Sequence, residues 1–211
     1  MLRLVLGWLV GWIHHLLGLA TWFLAEHRRV SHLTVALTDP SQAVSLPLLE
    51  RTLQLLQTYQ PSAVESIKRH FRGVIIMSGA PHERGHWVRR SRICVLRQAH
   101  LSGPRADPDQ LILTLAHEAM HARLHGAGVE QTRHHHRNSE LLCSMAELQL
   151  ARQVMSLRRF EPALNRTIDC WSTISGARAA DSTYLDRELL HLRQLPLPKW
   201  AIAFVNAMRR H

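Results

Sequence analysis

The sequence predicts a mainly α-helical protein with a small β-sheet, an α+β domain preceded by a hydrophobic N-terminal helix. Three observations carry this reading. Apolar residues recur at helical spacing from Leu46 to Arg72, around Leu111–Leu124 and again beyond residue 155. Two short runs, Gly73–Ser78 and Arg92–Arg97, read instead as strands, the first β-branched and the second only loosely alternating. Residues 4–24 are apolar and carry no formal charge. At 211 residues the chain is most simply one globular domain, residues 31–211, with residues 1–30 as an appendage.

As a helix, residues 4–24 would span about 30 Å, the thickness of a bilayer core. Trp8, Trp12 and Trp22 suit membrane interfaces, whereas His14 and His15 are costly at mid-span. Gly7, Gly11, His14, Gly18 and Thr21 form a small-or-polar stripe suited to close helix packing. Three fates fit: a membrane anchor, a helix lying in the interface or packed on the domain, and a signal peptide cleaved near Gly18–Ala20. The anchor leads among them. Arg28 and Arg29 directly behind it would then keep the following domain in the cytoplasm. Three cysteines, Cys94, Cys143 and Cys170, form no spaced pair, which argues against a disulfide framework and fits a reducing compartment.

Residues 31–44 read as a linker or as a strand and turn around Thr38–Ser41. Pro61 divides the helical stretch from Leu46 to Arg72. Between the two strands, Gly79–Arg90 contains Pro81 and Gly85 and reads as a loop. The next helix has a clear start, with Asp107 as N-cap, Pro108 at the first helical position and Gln110 at N3. Its stop is equally clear, at His125–Gly128. A second helical pattern begins at Ser139, and further ones cover roughly 160–174, 180–194 and 197–209, broken at Gly176 and at Pro196–Pro198.

The helix after Pro108 holds His117-Glu118-Ala119-Met120-His121, an H-E-x-x-H motif. At about 100° per residue, positions i and i+4 share one helical face, so both imidazoles can reach one Zn²⁺. Glu118 can then face a water on that ion. Hydrolytic zinc sites commonly add a third protein ligand, and His₂Glu is one such set. Glu140, with eighteen residues separating it from His121, opens the second helical pattern and can return to the histidines across a Gly-rich turn. His125, at i+8 from His117, is the rival third ligand, although a straight helix carries it about 80° around and about 12 Å along. A metal-free reading, in which the motif is a set of satisfied buried polar groups, is disfavoured because burying such a set without a metal is costly. Cys143, one turn after Glu140, either borders the site or serves as a small buried hydrophobe.

Through His117, Glu118, His121 and Glu140 the sequence resembles the gluzincin clan of zinc metallopeptidases, over about residues 90–155. The resemblance implies a compact zincin-like core for residues 31–211, with one Zn²⁺ per chain held by His117, His121 and Glu140. It implies Glu118 as general base and a polypeptide substrate laid along the strand ahead of the motif helix. Thermolysin-like members carry an Asp four residues after the ligand Glu. Ser144 stands there in this chain, and Glu147, on the same helical face as Glu140, is its candidate substitute.

The net charge of +10 favours anionic partners, whether acidic lipid head groups, nucleic acid or acidic proteins. Arg84, Arg89, Arg90, Arg92 and Arg97 with Trp87 form a candidate phosphate-contacting cluster. His134–His136 and Tyr184 are candidates to stabilise an oxyanion. The expectation is a membrane-associated zinc metallopeptidase. Two alternatives stand beside it: a protease resembling the SprT-like enzymes that acts on nucleic-acid-bound proteins, and an inactive zincin-fold membrane adaptor. Retention of Glu118 argues against the adaptor, since a structural zinc needs no general base.

Overall fold

The computed structural model describes residues 19–78, 85–104, 106–129 and 133–173, without the side chains of residues 133–136. After a helical turn at residues 19–24, the chain forms a hairpin of β1 (Glu26–Val30) and β2 (Leu33–Leu37). A 3₁₀ turn, Pro40–Ser45, follows, and then α1 (Leu46–Tyr59) and α2 (Pro61–His70) carry the chain back to β3 (Gly73–Met77). Next come β4 (Gly85–Val88), β5 (Ile93–Arg97), α3 (Pro108–Gly126), α4 (Arg133–Gln153), a second long 3₁₀ turn at Met155–Phe160, and α5 (Glu161–Thr173).

The five strands form one sheet in the order β1-β2-β3-β5-β4. Strands β2, β3 and β5 are parallel, and β1 and β4 close the two ends antiparallel to their neighbours. Parallel strands need a crossover, which α1 and α2 supply between β2 and β3. Every residue of β3 and β5 is buried, as expected of central parallel strands covered on both faces. This is why Arg92–Arg97 alternates poorly in sequence. On one face, Val35, Leu37, Val74, Ile76 and Leu96 join a core with Leu49, Leu56, Ile67, Ile112 and Leu115 from α1, α2 and α3. On the other, Ala36, Ile75, Met77, Ile93 and Val95 cluster with Trp22. Trp22 lies so close over Gly73 that a Cβ there would stand 2.1 Å from its ring, which explains the glycine.

Several expectations are corrected. Residues 26–30 form an edge strand rather than the flank of a hydrophobic helix, its first four side chains exposed, with Glu26, Arg28 and Arg29 supplying the charges that protect sheet edges. Part of the expected 79–90 loop is strand β4. The strand ahead of the motif helix, β5, is paired on both sides, so it offers no edge to a peptide; among the described residues the outer strand at this end is β4. Helix α4 starts at Arg133, six residues before the expected Ser139. Trp22, expected at a membrane interface, is buried against the sheet. Among the described residues no helix is long and apolar enough to cross a membrane. Most of the expected 4–24 helix and the helices expected at 180–194 and 197–209 lie outside the described residues.

Candidate metal centre

Helix α3 begins as the sequence predicts. The Asp107 carboxylate accepts the backbone N–H groups of Asp109 and Gln110 at 3.1 and 3.4 Å. Arg159, from the 3₁₀ turn after α4, donates to both Asp107 oxygens at 2.9 Å and so ties the end of α4 to the start of α3. The motif therefore sits in the middle of a 19-residue helix, where the i, i+4 geometry holds. Helix α4 runs antiparallel beside it: the later Glu147 meets the earlier His117, while the earlier Glu140 reaches His121.

These two helices bring together the three residues read as ligands. His117 Nε2 and His121 Nε2 stand 3.1 Å apart. Glu140 reaches each of those nitrogens with one carboxylate oxygen, at 3.4 Å in both cases. Donor atoms held at roughly 2.0–2.1 Å by a tetrahedral zinc stand about 3.3–3.4 Å apart. The nitrogen–nitrogen separation lies near that spacing, Glu140 spans the pair with Oε2 toward His117 and Oε1 toward His121, and two imidazoles with one carboxylate are a donor set suited to Zn²⁺.

Glu147, read from the sequence as the candidate substitute for the missing Asp, faces His117. Glu147 Oε2 lies 3.1 Å from His117 Nδ1. A neutral ring that donates its Nδ1–H to Glu147 keeps its Nε2 lone pair for the ion, the usual arrangement of a carboxylate behind a ligating histidine. Burial opposes a charge on His117, but the hydrogen bonds to Glu140 and Glu147 outweigh it and hold its pKa well above the ordinary imidazole value in the metal-free protein. Burial acts against the Glu140 carboxylate as well, yet the two histidines hold its pKa far below the usual range. Ser144, at the position of the usual Asp, is buried.

Glu118 is 5% exposed, and burial raises its pKa, as suits a proton acceptor that must later release the proton. Its Oε2 accepts the backbone N–H of Trp87 at 2.7 Å. In an antiparallel strand N–H groups point alternately toward the partner and away from it. Among the described residues β5 is the strand partner of β4, so this N–H points off the other edge of β4, and Glu118 stands at that edge. The sequence singles out Trp87 only for its side chain, in the arginine cluster; no signal points to this backbone contact, since every residue but proline offers a backbone N–H.

His125 does not join the site. Its Nδ1 accepts Arg89 Nε at 3.0 Å, and its ring packs 5.3 Å from that of Trp87. Burial first, and then Arg89, lowers its pKa. Cys143 does approach: His117, His121 and Cys143 each place a ligand atom within 4.8 Å of the others. Glu140 comes nearer to each ring, with Oε2 3.4 Å from His117 Nε2 and Oε1 3.4 Å from His121 Nε2. The arginine cluster is dispersed. Arg97 is 2% exposed, Arg89 holds His125, and Arg92 donates to the carbonyls of Arg69 and His70. Trp87 belongs to the core. Arg84, Tyr184 and the side chains of His134–His136 lie outside the described residues.

Comparison of the chain with protein-family models, with curated proteins and with solved structures returns no match.

Proposed function

We propose that this protein is a zinc-dependent peptidase of gluzincin type, with His117, His121 and Glu140 as the metal ligands and Glu118 as the general base. The observation that carries the proposal is the convergence of two imidazoles and one carboxylate at 3.1–3.4 Å on one side of α3, with the Glu147 carboxylate 3.1 Å from His117 Nδ1 behind them. When bound, zinc would acidify a water molecule and polarise the scissile carbonyl. Glu118 takes the proton of the attacking water and returns it to the leaving amine. Apart from the Trp87 N–H that Glu118 holds, the outer edge of β4 is unpaired by any strand among the described residues and offers an extended polypeptide main-chain groups beside Glu118. Burial of Arg97 and the engagement of Arg89 and Arg92 within the fold favour a peptide-directed reading over one directed at nucleic acid.

The test is cleavage of an unfolded protein substrate. Wild type is expected to cleave it, to lose activity to a chelator and to regain it with zinc. Glu118→Gln is expected to retain zinc while turnover falls roughly 10²–10⁴-fold, the usual worth of a positioned general base. Zinc-loaded wild type that cleaves no better than the Gln variant would overturn the assignment.

A further inference from the structure

Cys143 lies on α4 three residues after Glu140, so one helical turn separates the two side chains on the same face. That face is the inner one: Cys143 and Ser144 are fully buried, Glu147 nearly so, while Leu142 and Met145 on the same helix are exposed. The sulfur lies within 4.8 Å of a ligand nitrogen on both His117 and His121. A tetrahedral zinc with nitrogen ligands near 2.05 Å and sulfur near 2.3 Å would set nitrogen and sulfur about 3.5 Å apart. The remaining gap of about 1 Å or so is within the reach of a χ1 adjustment. The three assigned donors leave one tetrahedral position open, and a soft sulfur donor suits zinc as well as imidazole does.

We infer that Cys143 is a fourth, displaceable ligand, so that the metal-loaded protein rests with its water position closed by sulfur. This rests on the peptidase reading of His117, His121 and Glu140. Were sulfur to bind a metal there, the thiol proton would pass to solvent and one water would leave; the reverse would reopen the site. Catalytic zinc sites keep a position open and structural ones do not, so a sulfur that comes and goes would make this site latent rather than merely structural.

Cobalt(II) in place of zinc separates the possibilities, because ligand-field bands in the visible report the bound ion and a thiolate-to-cobalt charge-transfer band in the near ultraviolet reports sulfur. The full chain is loaded with cobalt alone, as wild type, Cys143→Ser and Cys143→Ala, each checked for folding by its thermal melt. The expected result is both sets of bands in wild type and complete loss of the near-ultraviolet band in each folded variant, with visible bands retained. Should neither variant fold, the wild-type spectrum still decides, since Cys94 and Cys170 are not in the metal-capable group. Visible bands without a charge-transfer band in wild type, or a charge-transfer band unchanged in a folded Cys143 variant, overturn the inference and leave the three-ligand site intact. No cobalt uptake at all overturns both.

Discussion

Replacing Glu147 tests whether the site is organised around a metal or only resembles such a site. Its Oε2 lies 3.1 Å from His117 Nδ1, on the side of the ring opposite the nitrogen that faces His121 and Glu140. Glu147→Ala removes the carboxylate beside His117 Nδ1 while leaving His117, His121 and Glu140 themselves unaltered. Such orienting partners are typically worth about 10–100-fold in metal affinity, or about 1.4–2.7 kcal/mol. The loss should not exceed this, because the ring stays packed edge-on against His121, with centroids 4.8 Å apart, and all three ligands remain. Glu147→Gln keeps a carbonyl acceptor and should fall in the lower half of that range. The assay is zinc competition against a chromophoric chelator at fixed pH, with a thermal melt to confirm folding. Folded Glu147→Ala binding zinc within about twofold of wild type would refute the reasoning, because it would leave Glu147 as a partner of the histidine alone and not of the metal site.

Further outcomes follow from other contacts. Asp107→Ala removes the α3 cap and should cost about 1 kcal/mol in denaturant unfolding, with part of the effect coming from the lost Arg159 contact; an unchanged midpoint would contradict the cap assignment. Trp22→Ala should cost about 3–5 kcal/mol, since the ring is 6% exposed over Gly73 and Ile75; a change below about 1 kcal/mol would show that it does not pack there in solution. The pH dependence of zinc binding follows from His117, whose pKa in the metal-free protein is raised above its ordinary 6.5. The proton stabilises the metal-free state and must leave before the ion binds. Zinc affinity should therefore rise with pH, by up to about tenfold per unit across neutrality, read most simply in Cys143→Ser; a flat profile would contradict the raised value.

The motif helix was legible because its signals are local. Asp107 and Pro108 announce the start, Gly126 and Gly128 the end, and the i, i+4 histidines need only helical geometry to share a face. Glu140 and Glu147 were legible for the same reason, since one heptad along a helix keeps both on the face toward α3. The sheet was less so, because pairing is a long-range event. Val30 is the one buried residue of β1, so the strand leaves no alternating pattern, and β4 begins with Gly85 and His86, neither a strong strand former. That β5 lies inside the sheet and β4 at its edge depends on how the chain crosses over, which sequence spacing does not encode. The same limit hid the Trp87 N–H behind Glu118. Cys143 was visible as a neighbour of Glu140, but its approach to two histidines on another helix needed the packing of α3 against α4.

The most direct test of the central claim is the metal content and zinc affinity of the full chain, purified without chelator, beside Glu140→Ala. The account predicts about one zinc per wild-type chain. It also predicts a folded Glu140→Ala that has lost most of its affinity while His117 and His121 remain. A wild-type protein that holds no zinc and takes none up, or a Glu140→Ala variant that binds zinc as wild type does, would contradict it.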